Sequence, residues 1–76
     1  MALTGGCLCG AVRYEIAGTL GRTGHCHCSM CRKSHGAAFV TWAMVEPGQF
    51  RWTSGTELVT QYESSPGRAR CFCSRC

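Results

Sequence analysis

Eight of the 76 residues are cysteine, and they fall into three clusters: Cys7-x-Cys9, Cys26-x-Cys28-x-x-Cys31 and Cys71-x-Cys73-x-x-Cys76. In an extended segment the side chains at i and i+2 share a face, so both thiols of a C-x-C pair reach one ion while the intervening residue points away. A C-x-x-C pair does the same around a tight turn. Tetrahedral zinc takes four donors with Zn–S distances near about 2.3 Å. The chemistry these spacings predict is thiolate ligation of Zn²⁺, with one or two ions held by most of the cysteines.

Spacing alone leaves the partition open. Cys7 and Cys9 with Cys73 and Cys76 would form a closed four-thiolate site and tie almost the whole chain into a loop, where a cross-link stabilises most. Cys26, Cys28 and Cys31 then remain as a three-thiolate group. A closed site is structural, whereas three thiolates keep a fourth position for water or substrate, the condition under which zinc acts as a Lewis acid. Cys71 lies two residues before Cys73 and is a candidate fourth ligand for the second group; the preferred reading is a small buried hydrophobe, a common state of free cysteine. His27, between Cys26 and Cys28, should point away from their metal, and His25 shares its face. His35, four residues after Cys31, is a candidate proton carrier, although an exposed or backbone-bonded histidine is the expectation. Arg32 and Lys33 follow the cluster directly, where positive charge favours thiolate and attracts an anionic substrate.

A chain this short buries little apolar surface against its conformational entropy, so a staple is also what the length demands. MALTGGCLCG carries neither the basic start nor the apolar stretch of an export signal, and no run approaches the roughly 20 apolar residues that span a bilayer. The expectation is a cytoplasmic protein with metal-bound rather than disulfide-bonded cysteines and no membrane partner. The formal charge of +4 invites a nucleic-acid reading, but thiolates on two zinc ions would bring the whole near about +1. Aromatic residues here alternate with aliphatic rather than basic ones, so stacking platforms for nucleic acid are not evident.

The elements that must position these clusters are mostly strands, within a single domain over residues 1–76. From Gly10 to Ala17, Ala11, Arg13 and Glu15 alternate with Val12, Tyr14 and Ile16, which predicts a half-buried strand. Phe39 to Val45 reads as a strand covered on both faces and closed by Pro47-Gly48. Gln49 to Thr53 and Glu57 to Glu63 suggest a hairpin about Ser54-Gly55, and Arg68 to Phe72 a last short strand. Only Ser29 to Ser34 suits a helical turn, which Gly36 ends. Trp42, Trp52, Phe39, Phe50 and Tyr62 are expected in the core.

Three motifs in order then become informative: G-x-C-x-C-G-x-V-R-Y at Gly5 to Tyr14, C-H-C-S-x-C-R-K at Cys26 to Lys33 followed by Gly36-Ala37, and F-C-S-x-C at Phe72 to Cys76. Together they resemble the glutathione-dependent formaldehyde-activating (Gfa-like) family over essentially the whole chain. The resemblance implies a small, zinc-stapled, mostly β Mss4-like fold. It assigns Cys7, Cys9, Cys73 and Cys76 to a structural zinc, and Cys26, Cys28 and Cys31 to a second, catalytic one. The implied activity is of the carbon–sulfur lyase type, joining formaldehyde to a small-molecule thiol, glutathione, as S-hydroxymethylglutathione, with Arg32 or Lys33 holding a substrate carboxylate. Family members usually place Gly after the last cysteine and continue with further strands. Ending at Cys76 therefore reads as a truncated member, whose open sheet edges could pair with a second copy. The alternative class is a non-catalytic zinc module for a protein partner, because fold does not fix function; it predicts a closed or absent second site.

Overall fold

Seven short strands and one helix carry the cysteine clusters, and the computed structural model describes them over residues 2–76. In chain order they are β1 (Ala2–Gly6), β2 (Arg13–Ala17), β3 (Thr23–Cys26), α1 (Ser29–His35), β4 (Val40–Ala43), β5 (Phe50–Ser54), β6 (Val59–Ser65) and β7 (Arg68–Cys73). The fold is mostly β, as the alternating patterns predict. All strand pairs are antiparallel, and they form three separate sheets ordered β1-β2-β5, β3-β4 and β6-β7.

The period-two signal around β2 is realised. Val12, just ahead of the strand, is 5% exposed and is the only buried side chain among the described residues. Tyr14 lies opposite Trp52 and Ile16 opposite Phe50 across the β2–β5 pair. The Tyr14 and Phe50 rings stack at 5.2 Å, and Phe50 meets Trp52 edge-on at 4.9 Å. Cross-strand aromatic pairs of this kind are the unit that holds a small sheet together. Gln49 fastens the approach to β5 by donating from Nε2 to the carbonyls of Ala17 and Thr19 at 2.8 and 2.9 Å.

Three expectations are corrected. The hairpin about Ser54-Gly55 does not form: β5 pairs with β2, and β6 pairs with β7. Gly55, at φ 75°, leads into a 3-10 turn over Thr56–Leu58 instead of a two-residue reversal, and that turn carries β6 away from β5. The segment at β4 is not covered on both faces, since three of its four residues are exposed. Nor do the large aromatics form one core, with Trp42 and Trp52 each 36% exposed and Tyr62 65% exposed. A sheet buries a face only against a second layer, and β3-β4 and β6-β7 are two-stranded sheets with at least one open face each.

The helix falls where the sequence suggests, and Gly36 at φ 62° closes it with a left-handed cap, a conformation that carries no Cβ penalty in glycine. β1 and β3 escape the hydrophobic pattern because Gly5, Gly6 and Gly24 interrupt it; their pairing partners define them. Among the described residues no helix is long and apolar enough to cross a membrane.

Candidate metal centre

Cys7 follows β1 at a turn in which its carbonyl accepts from the Gly10 N–H and its own N–H returns to the Val12 carbonyl, both at 3.1 Å. Cys73 ends β7, and Cys76 lies three residues beyond. The sulfurs of Cys7, Cys9, Cys73 and Cys76 all lie within 4.8 Å of one another, with Cys7 to Cys9 at 3.5 Å and Cys9 to Cys73 at 3.9 Å. A tetrahedral ion with bonds of about 2.3 Å needs donors about 3.8 Å apart, so the donor set fits zinc in type and spacing.

Backbone N–H groups face these sulfurs: Val12 donates to Cys7 at 3.4 Å, Cys9 to Cys76 at 3.4 Å and Arg75 to Cys73 at 3.3 Å. The Val12 N–H draws the Cys7 thiol down to about 6 against partial desolvation, with neighbouring sulfurs assisting. Cys76 is pushed up to about 11: the Cys9 N–H favours its thiolate, but desolvation and the sulfurs of Cys7, Cys9 and Cys73 prevail. A cation bound by these sulfurs would displace the protons they retain into solvent, as metal–thiolate linkage requires.

The three-sulfur group is local. Cys26 ends β3, Cys28 caps the N-terminus of α1 and Cys31 lies in its first turn, their sulfurs again within 4.8 Å of one another. The Cys28 sulfur accepts the Cys31 N–H at 3.3 Å and lies 3.5 Å from that of Cys26. That N–H draws Cys28 down to about 7, the sulfurs of Cys31 and Cys26 assisting against desolvation. In Cys26 the Cys28 N–H favours thiolate, but its neighbours' sulfurs and desolvation raise the thiol above its ordinary value of 9.0. With no ion on this group, iodoacetamide at pH 7.5 is expected to label Cys28 well before Cys26. Cys28 labelling should climb steeply between pH 6 and 8 and then level, while Cys26 lags beyond pH 9. Peptide mass mapping of a short time course checks both.

Cys71 belongs to neither group and is exposed rather than buried, in the walls of the clefts that the β6–β7 hairpin leaves against α1 and against the first sheet. His25 and His27 also stand apart from the sulfurs. The His25 ring shares a 3.0 Å hydrogen bond with the Thr41 hydroxyl, and both rings pack on Phe39, at 4.9 and 5.5 Å.

A cavity of about 690 Å³ opens between α1 and the β6–β7 hairpin, with Met30, Lys33, His35, Tyr62, Arg70 and Phe72 in its walls. Lys33 and His35 line this cavity, whose walls include none of Cys26, Cys28 and Cys31 and meet the three-sulfur group through Arg70, while Arg32 faces a shallow groove with Ser29, Gly36 and Ala37. Arg70 is the residue sequence reasoning misses. Its Nη2 donates to the Cys31 sulfur at 3.6 Å, a contact across 39 positions that no local spacing announces.

Fold and donor geometry define a class: a small, mostly β domain whose cysteines gather into a four-sulfur and a three-sulfur group. The chain belongs to the glutathione-dependent formaldehyde-activating enzyme family, whose model matches residues 2–76. It is similar to a Halomonas elongata protein that carries the provisional name glutathione-dependent formaldehyde-activating enzyme, with 34% identity over 83 aligned positions, covering 100% of this chain and 52% of that protein. The chain therefore spans about half the length of that relative. No solved structure matches it.

Proposed function

We propose that this chain supports a zinc-dependent, carbon–sulfur lyase-type reaction in which the glutathione thiol adds to formaldehyde to give S-hydroxymethylglutathione. The observation that supports this reading best is the three-sulfur group of Cys26, Cys28 and Cys31, linked through Arg70 to a cavity of about 690 Å³, in a chain of this family. Cys26, Cys28 and Cys31 would hold the zinc, which would supply Lewis-acid chemistry to a thiol or an aldehyde oxygen. Cys7, Cys9, Cys73 and Cys76 are proposed to hold a second, structural zinc.

The chain's own groups divide the remaining work. Lys33, in the cavity wall, attracts a carboxylate of the tripeptide, with Arg32 adding charge from the neighbouring groove. Tyr62 and Phe72 offer apolar surface to its backbone. In the addition the S–H bond breaks, sulfur bonds to the aldehyde carbon, and the proton passes to the aldehyde oxygen. His35, on the same cavity, is the candidate carrier of that proton.

The reaction also runs without a catalyst, so the test is a rate above background. Zinc per chain and the NMR exchange rate of glutathione with formaldehyde would be measured for the natural chain and for Cys31→Ser. Two ions and an accelerated exchange are expected, with Cys31→Ser keeping one ion and falling back to the uncatalysed rate. One tightly held ion with no acceleration would sink the catalytic reading and favour a partner-binding module.

A further inference from the structure

We propose that Arg70 is a positioning residue for the three-cysteine group, its guanidinium holding the Cys31 sulfur in place as a metal donor; this rests on the reading that Cys26, Cys28 and Cys31 bind an ion. Arg70 lies on β7 opposite Tyr62, and its guanidinium is held at three points. Nε donates to the Ser64 hydroxyl at 2.9 Å, Nη1 to the Ser34 hydroxyl at 3.4 Å and Nη2 to the Cys31 sulfur at 3.6 Å. Ser34 in turn donates to the Cys31 carbonyl at 3.2 Å. Both ends of Cys31 are therefore tied, directly or through one hydroxyl, to a single planar cation on another element.

The arrangement is specific. The sulfurs of Cys7, Cys28, Cys73 and Cys76 accept backbone N–H groups, and among the described residues Arg70 is the only side chain other than cysteine that donates to a cysteine sulfur. Three thiolates around a dication carry one net negative charge, which a guanidinium in contact offsets. The rigid fork of Arg can serve Ser64 and Cys31 together, whereas the single ammonium of Lys cannot. Loss of a partner that orients a metal ligand typically lowers metal affinity by roughly 10–100-fold.

The two sulfur groups supply their own internal control. The whole chain would be loaded with zinc and mixed with a chromogenic chelator, and in parallel loaded with Co²⁺ to read the sulfur-to-metal charge-transfer band. Two release phases are expected, the fast one absent from Cys28→Ser. Arg70→Gln should accelerate only the fast phase, by about 10–100-fold, and move the band to lower energy as the sulfur loses its donor. Arg70→Lys should recover part of both effects, and Ser64→Ala should accelerate the fast phase less than Arg70→Gln. If two ions load while the fast phase and the band stay unchanged in Arg70→Gln, the inference fails alone. If both phases accelerate equally, Arg70 merely supports the fold, which overturns the inference as well. Loading that stops at one ion removes the metal reading and the inference together.

Discussion

Replacing Cys9 or Cys73 by serine, or stripping the metal with a strong chelator, is expected to unfold the chain outright rather than lower its melting temperature by a few degrees. The cause lies in what else holds the molecule together. Val12 is the only buried side chain among the described residues, and the three sheets share no strand. The four sulfurs come from the β1–β2 turn and from the end of β7, so an ion there joins the first sheet to the last hairpin and closes nearly the whole chain. A domain of this length has a net stability of about 4–11 kcal/mol, while structural zinc sites contribute apparent binding energies of about 10–16 kcal/mol. Removing the second quantity leaves nothing to oppose conformational entropy. Far-UV circular dichroism and thermal melts with and without chelator check this: the cooperative transition should vanish and return when zinc is restored. Cys28→Ser, in the local group, should keep the transition. A cooperative melt in metal-free Cys9→Ser would show that the sheets hold without the cross-link.

The legible parts of this molecule are the local ones. The C-x-C spacing announces that Cys7 groups with Cys9 and Cys26 with Cys28, although Cys7 to Gly10 is a turn rather than the extended segment the i, i+2 rule assumes, and alternation announces β2 and, just ahead of it, the buried Val12. What joins distant segments is not written in any spacing. Sequence permits the Cys7, Cys9, Cys73 and Cys76 grouping, and the fold brings their sulfurs within 4.8 Å, but Arg70 reaches Cys31 only because β7 passes α1. The aromatic residues mislead for the converse reason. Trp42 and Tyr62 carry the signature of buried strands, yet a two-stranded sheet offers them no second layer, so they remain on its surface. Cys71 is misread in the same way, as its apolar character says nothing about whether a layer covers it.

Gly55→Ala is the substitution outside the cysteines expected to do most damage. Gly55 sits at φ 75°, and a Cβ there would press on the Ala11 carbonyl and approach the Val12 Cα to 2.8 Å. The left-handed conformation alone costs about 1–2 kcal/mol for a residue with a side chain, and the overlap is with backbone, which cannot rotate aside. A total loss of about 3 kcal/mol or more is expected, in the upper range for single substitutions. The strain would not stay local, because the Val12 N–H donates to the Cys7 sulfur at 3.4 Å; release of metal from the four-sulfur group should quicken with the loss of stability. Gly67→Ala isolates the cause, since Gly67 has the same φ of 75° with nothing within 4 Å of its added Cβ. It should lose only the conformational part, about 1–2 kcal/mol, and leave metal release unchanged. Guanidinium denaturation of both variants, paired with chelator transfer rates, measures the difference. Equal losses would mean that the packing of Gly55 against Ala11 and Val12 contributes nothing, and that the four sulfurs are held by their own metal alone.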